Sequence, residues 1–516
     1  MDQKKHFLQG AAILAAAGII SKALGALYRI PLARWLGAEG IGLYQMAYPF
    51  YTTILSLTTA GIPVAISILV ARKENAGLNG DSYKILRASF YLLLVIGLVL
   101  SVLFYFGADF IARSGIKQPK AVLPLMALAP AIFFAAMMTV YRGFFQGQQW
   151  MIPTAVSQVV EQIFRVVFIL ILAYLLLSRG LEVAVAGATF GAVVGGFAGL
   201  LTLVGFYTWY RNKITIKKQL VYSGQSSWSL GKEMLRLAIP VSLGAVVLPL
   251  TQMLDTFIVP RRLIESGYTV VRATELYGEL SGMASTLINL PIILIVAIAA
   301  SLVPAVTEAL VKKDTLVLNN RINESIRASL LIALPSAVGL YVLADQIMDL
   351  LYSSTEAGIP LAFLSFSVLV IAIFQVTSSG LQGLGKPGIP MRHLIITGLL
   401  KVLLNYSLTA APLLNIRGPA IATFIAFSIG SVLNIIYLVK LTGIRFEWAR
   451  YIKLILITIV MGIIVKISYQ VLVIAGIPSK ASTVIAIVIG VTAFGGGLFV
   501  FKELDWNMFK GLKHFN

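Results

Sequence analysis

The 516-residue chain has no cysteine and only three histidines, His6, His393 and His514. Without cysteine there is no disulfide framework, no thiol nucleophile and no Cys-bearing zinc site. The histidines fall near the chain ends or at the edge of an expected helix, so no clustered metal site is expected, and no cofactor. Charge is scarce too. Charged residues make up 12% of the chain, where soluble domains run near roughly 25%. Acids are the scarcer half, with 21 Asp+Glu against 41 Lys+Arg and a formal charge of +20. In a soluble protein that excess would point to nucleic acid; in a chain with mean hydropathy +0.90 and 58% apolar residues it points first to membrane topology.

What the chain has in abundance is long apolar runs. A span needs roughly 20 apolar residues to cross about 30 Å of hydrocarbon. Runs broken at charge clusters and Gly/Pro turns number fourteen, from residues 8–28 to residues 481–501. The fold expected is therefore all-α, a polytopic membrane protein with about 14 transmembrane helices. The second and eighth runs, residues 41–70 and 273–303, exceed one crossing, and kinks are expected at Pro63 and Pro291. Lys4 and Lys5 before the first run give it the look of a signal peptide, but Lys22 sits just before the only cleavage-like site, so an uncleaved first span is expected.

With the N-terminus inside, 26 of the 41 Lys+Arg fall in inner connections and tails and 11 in outer loops. That asymmetry places both termini in the cytoplasm, in a plasma membrane. The richest inner segment holds Arg211, Lys213, Lys217, Lys218, Lys232 and Arg236 and reads as a lipid-facing anchor rather than a nucleic-acid site.

The chain also repeats itself. GIPVAISILVARK at residues 61–73 matches LVPAVTEALVKK at residues 302–313, and GFFQG at residues 143–147, followed by Ile152-Pro153, matches GLQG at residues 380–383, followed by Ile389-Pro390. Both offsets are close to 240 residues. The expected organisation is an N-terminal six-helix lobe at 1–208, a basic cytoplasmic linker at 209–234, a second six-helix lobe at 235–440, and two further helices with a cytoplasmic tail at 441–516. Two parallel lobes suit alternating access with the site between them.

Two nucleotide-like patterns are rejected. Gly380 to Lys386 has Walker-like spacing, but Pro387 stands where Ser or Thr would hold magnesium, and the GxGxxG pattern from Gly383 to Gly388 lacks the strand-turn-helix context. Both are expected to form the turn between two membrane helices. Gly187, Gly191, Gly195 and Gly199 recur every four residues and predict a smooth ridge for close helix approach.

Ionisable residues inside spans are costly and so become functional candidates. Lys22 and Arg29, two turns apart on the first helix, would attract an anionic group, with Lys401 a third candidate substrate contact. Glu161 and Arg165, spaced i, i+4, are expected to pair. Asp255 with Gln252, and Glu279, place acidic or polar groups in the second lobe, for charge balance, for a coupling cation, or to cap a polar cavity. No catalytic carboxylate pair is concentrated in an outer loop, so an enzyme is not expected.

SKALG at residues 21–25, ARWLG at residues 33–37, RGFFQG at residues 142–147 and ALPSAVG at residues 333–339, within a six plus six plus two arrangement, together resemble the multidrug/oligosaccharidyl-lipid/polysaccharide (MOP) exporter superfamily. The chain looks most like its polysaccharide-biosynthesis branch, of the stage V sporulation protein B type, related to the MurJ-type lipid II flippases. The resemblance implies a flippase that moves an undecaprenyl-pyrophosphate-linked sugar, lipid II or a polysaccharide repeat unit, from inner to outer leaflet. It also implies a tail groove bordered by the last two helices, and cell-wall synthesis proteins as partners. Of the two first-helix arginines of the MurJ type, Lys22 falls at the first, while the second falls at Tyr28, with Arg29 one residue later. No basic residue lies between Ile54 and Gly61 to match that type's second-helix arginine, and Glu279 stands on helix eight. The alternative is a cation-coupled multidrug exporter using Asp255 or Glu279.

Overall fold

The structure is a computed structural model that describes residues 2–215 and 221–503. Lys217 and Lys218 of the expected linker, and Lys510, Lys513 and His514 of the expected tail, lie outside the described residues. The described residues form helices and turns with no strand, as apolar runs without water to satisfy their backbone must. They divide into two compact units, residues 1–278 and residues 279–516.

Unit 1 contains α1 (Asp2–Leu27), α2 (Arg29–Thr59), α3 (Gly61–Asn75), α4 (Asn79–Phe110), α5 (Val122–Gly147), α6 (Ile152–Leu176), α7 (Leu181–Thr215), α8 (Ser227–Ala245), α9 (Val247–Glu265) and α10 (Val270–Tyr277). Unit 2 contains α11 (Ser285–Val311), α12 (Thr315–Val342), α13 (Ala344–Tyr352), α14 (Gly358–Ser365), α15 (Ser367–Gly383), α16 (Gly388–Thr409), α17 (Arg417–Thr442), α18 (Trp448–Ile474) and α19 (Ser479–Val500). All fourteen expected runs are helical, but the expected count of crossings is not reproduced. Ten stretches are long and apolar enough to cross a membrane, or up to twelve if the bent pairs α8–α9 and α14–α15 each count as one span. The difference has two sources. The first stretch, Ala12–Asn75, is 64 residues long and merges the first two runs, with only Gly37 leaving helical geometry, at φ +67. Helix α16 carries Arg392 and Lys401 and falls outside the count.

The proline kinks also fall elsewhere than expected. The break in the second run lies at Ala60, three residues before Pro63, which sits in the first turn of α3, where a missing N–H costs nothing. Pro291 lies inside α11, and the irregular segment of the eighth run is the π-helical stretch Gly278–Ala284 ahead of it. The rejected nucleotide motif is a turn: α15 ends at Gly383 and Gly385 takes φ +73.

Glycine sets the close packing in both units. In unit 1 a Cβ on Gly147 would meet Val70 Cβ at 2.6 Å and Ser67 O at 2.9 Å, locking α5 to α3. In unit 2 a Cβ on Gly383 would meet Val303 O and Val306 Cβ, both at 2.8 Å, locking α15 to α11. In each unit a glycine of the second motif thus packs on the helix that carries the first, at a different register: Gly147 meets residues four and seven after Pro63, Gly383 residues flanking Pro304.

On α7 the glycine ridge faces α6. A Cβ at Gly195 would lie 2.6 Å from Glu161 O and 2.8 Å from Arg165 Cβ, and one at Gly199 would lie 3.1 Å from Glu161 Cβ. Small residues let the backbones approach where apolar packing alone gives no drive toward association. Pro153 in the first turn of α6 fits there because its missing N–H is unused.

Residues 221–226 are fastened to the turn between α3 and α4. Asp81, with a fully buried side chain, accepts from Ser223 N at 3.3 Å and from the Ser223 hydroxyl, and Lys73 Nζ lies 3.1 Å from it. Gly80 N donates to Val221 O and Val221 N to Asn79 Oδ1, both at 2.9 Å. Gly80 must lack a side chain, since a Cβ would meet the Tyr222 ring at 2.7 Å.

Candidate functional site in unit 1

Helices α1, α2, α5 and α6 bring ionisable and phenolic side chains together inside unit 1. Glu161 is the centre. It lies nine residues after the start of α6, about 14 Å along the axis, and Arg165 is one turn further at about 20 Å. Glu161 Oε1 accepts from Arg165, and Oε2 accepts from Arg142 Nη2 of α5 at 2.8 Å. The three side chains retain 13%, 14% and 18% of their exposure respectively, so solvent screening is weak. Arg142 is held from behind: its Nε donates to Ser157 Oγ at 3.1 Å, and the fully buried Ser157 donates to Thr154 O at 2.8 Å. Arg165 Nε is buried without a hydrogen-bond partner.

Tyrosines line the approach. Tyr28 and Tyr44 hydroxyls are 2.9 Å apart, Tyr44 stacks on Tyr48 at 5.5 Å, and Tyr48 meets Tyr51 edge-on at 5.6 Å. Tyr48, half-buried, lies within electrostatic reach of Arg29, Arg165 and Glu161, and Arg29 faces Tyr28, Tyr44 and Tyr48. Phenol hydroxyls can donate to an anion or accept from a guanidinium. Around Glu161 stand two arginines for one carboxylate, with Arg29 in the tyrosine group beside them.

The other sequence candidates are distributed as follows. Lys22 is exposed on α1 and forms no ion pair among the described residues, while its neighbour Ser21 donates to Gln158 O of α6 at 3.4 Å. Arg29, two turns on, is half-buried and belongs to the tyrosine group. On α9, Asp255 is half-buried and Gln252 exposed, and both belong to unit 1 by packing. In unit 2, Glu279 is buried in the π-helical stretch Gly278–Ala284 and Lys401 is half-buried on α16. Among the described residues no three His, Asp or Glu side chains converge as metal ligands.

Sequence reasoning missed Arg142 and the four tyrosines. Arg142 counts as a loop cation if the span is ended at the glycine motif; α5 instead runs on to Gly147, which puts Arg142 five residues inside the helix. Tyrosines in apolar helices look like packing, and only their shared direction toward two arginines distinguishes them.

The chain matches the family described as polysaccharide biosynthesis protein over residues 7–310 and the MatE family over residues 280–407. It is 32% identical to stage V sporulation protein B of Bacillus subtilis (strain 168), an alignment covering 89% of each chain. It is 29% identical to the lipid II flippase MurJ of the same organism, over 90% of this chain and 89% of that one. Among solved structures, an inward closed lipid II flippase MurJ superposes with a TM-score of 0.72 at 16% identity, covering 95% of this chain and 99% of the other. An inward-facing multidrug resistance MATE transporter of the MOP superfamily superposes with a TM-score of 0.68 at 17% identity, covering 82% and 94%. The chain is therefore a multi-pass membrane protein that belongs to the polysaccharide biosynthesis protein family.

Proposed function

We propose that the protein is an alternating-access flippase for an undecaprenyl-diphosphate-linked oligosaccharide, a lipid II-type peptidoglycan precursor or a polysaccharide repeat unit. It carries this lipid from the inner to the outer leaflet of the plasma membrane. The observation that carries the reading is the arginine pair of the unit 1 cluster, where Arg142 and Arg165 share the carboxylate of Glu161, with Arg29 in the adjoining tyrosine group. Guanidinium forks match phosphate oxygens and hold their charge at any pH, so two of them in a poorly screened site suit a diphosphate. Lys22 of α1 is a further cation for the head group, and so is Lys401 of unit 2. Asp255, Gln252 and Glu279 are the polar residues left for ion coupling.

The two six-helix lobes, 1–208 and 235–440, are the moving bodies, with both termini cytoplasmic on the strength of 26 inner against 11 outer cations. Energy comes from the membrane potential or an ion gradient, at about 2.3 kcal/mol per charge per 100 mV. The printed functions of the relatives support the reading: one is a lipid II flippase and another a sporulation protein.

The match of residues 280–407 to the MatE family favours a second reading, a cation-coupled multidrug exporter. A cationic cargo, however, needs acids in excess, and the unit 1 cluster has the reverse. Purified protein in liposomes with fluorescent lipid II in the inner leaflet decides between them. Transfer to the outer leaflet that falls on Lys22→Ala at unchanged protein abundance is the expected outcome. No transfer of any polyprenyl-linked sugar, together with ion-driven export of ethidium, would sink it.

A further inference from the structure

The cluster is occupied before any substrate arrives. Both Glu161 oxygens are engaged, Oε1 by Arg165 and Oε2 by Arg142 at 2.8 Å, so one carboxylate takes the position between two guanidiniums that a phosphate group would otherwise bridge. Arg142 does not depend on Glu161 alone for position, and the backbone of Arg165 is set by helix packing. Arg142 is fixed through Nε by Ser157, which is itself fixed by Thr154 O, and Arg165 stands on the face of α6 seated on Gly195. Arg165 also keeps its buried Nε–H without an acceptor. A purely structural carboxylate would balance its surroundings, whereas here one carboxylate serves two cations and leaves a buried donor unmet.

From this arrangement we infer that Glu161 is an internal counter-anion that the diphosphate of the substrate must displace from Arg142 and Arg165, and that it re-forms these pairs to expel the diphosphate on release. The inference rests on the reading above, that the cluster binds a diphosphate. It makes Glu161 a residue that sets affinity and turnover in opposite directions. With Glu161 present, binding is weakened by competition, because the substrate gains two charge-assisted contacts only after two are broken. Without it, the diphosphate meets two bare guanidiniums in a poorly screened site and stays. A transporter that binds too tightly is slow, since binding that is equally strong before and after transfer adds nothing to turnover.

The test compares variants in two assays: binding of farnesyl diphosphate to the detergent-purified full chain, with farnesol as the uncharged control, and lipid II transfer in liposomes. Glu161→Gln keeps the shape and removes the charge. It is expected to bind farnesyl diphosphate at least tenfold more tightly, to leave farnesol unchanged, and to lower both KM and kcat for transfer. Glu161→Asp keeps the charge but withdraws it from one arginine, and about threefold tighter binding is expected. If Glu161→Gln elutes as a monodisperse protein and binds farnesyl diphosphate no more tightly than the parent, the inference is overturned. Should Glu161→Gln fail to survive extraction, Glu161→Asp decides, and unchanged affinity overturns it. Arg142→Gln separates this failure from failure of the diphosphate reading: parent-like affinity in that variant removes the cluster as the diphosphate site, and the inference with it.

Discussion

At the same place in the repeat, the two units bury different chemistry. In unit 1 the helix that starts at Ile152-Pro153 presents Ser157, Glu161 and Arg165 to an arginine of α5. In unit 2 the helix that follows Ile389-Pro390 presents His393, whose Nδ1 lies 2.7 Å from Asn434 Oδ1 of α17. The Asn434 amide nitrogen is committed to Ser378 Oγ at 2.8 Å, Thr377 Oγ1 at 3.2 Å and Phe374 O at 3.3 Å. Its oxygen must therefore accept, which fixes the proton of His393 on Nδ1. The unit 2 network contains no Asp, Glu, Lys or Arg, and its donors and acceptors match one another. The unit 1 cluster carries surplus positive charge and an unmet buried donor. Both units pack a glycine of the second motif on the helix of the first, α5 on α3 and α15 on α11, while the polar residues beside it differ. A matched network suits an architectural role, and the arginine surplus is what the proposed diphosphate binding would use.

Three substitutions break or sharpen this contrast. The largest effect belongs to Arg165→Gln, which leaves Glu161 paired with Arg142 alone and the cluster one charge poorer. Lipid II transfer should fall about 100-fold, a loss of about 2.7 kcal/mol of transition-state stabilisation, at unchanged membrane abundance. Transfer at half the parent rate or better would erase the functional side of the contrast. Asn434→Leu comes next and should act through stability. It strands His393, Ser378 and Thr377, so about 2 kcal/mol of stability and several degrees of thermal midpoint should be lost in detergent, with transfer per folded molecule retained. Loss of transfer in a fully stable Asn434→Leu protein would make the unit 2 network functional. His393→Phe should do least. It keeps an aromatic ring against Tyr437, 5.2 Å away, and removes one interhelical hydrogen bond, so a loss of about 0.6 kcal/mol is expected in the same thermal assay.

Helices were legible in the sequence because each apolar run exceeds the length one crossing needs. Crossings were less so: helix continuity through Ala12–Asn75 and the charges of α16 blur where one span ends. The Glu161–Arg165 pair was legible because i, i+4 spacing within one helix requires no knowledge of the fold. Arg142 was not, because its partner is 19 residues away on another helix and a glycine motif follows it. Lys22 and Arg29 looked equivalent on a helical wheel, yet Lys22 is exposed on α1 while Arg29 opens α2 and faces three tyrosines of α2 and its N-cap, brought together across the non-helical Gly37. Likewise His393 looked like a residue at a helix edge, and its burial depends on Asn434, 41 positions later.

The tie between Asp81 and Ser223 has a meaning for the order in which the chain is made. The two residues stand 142 positions apart, with helices α4 to α7 between them. Asp81 is synthesised four helices before the hydroxyl and amide that satisfy it, and until then it has only Lys73 and Lys84 as charged neighbours. Its burial can be completed only when α4 to α7 have been laid down and residues 221–226 have returned to the α3–α4 turn. Closing that loop is a long-range event, and it requires α4 to α7 to be in place before α8 to α10 complete unit 1.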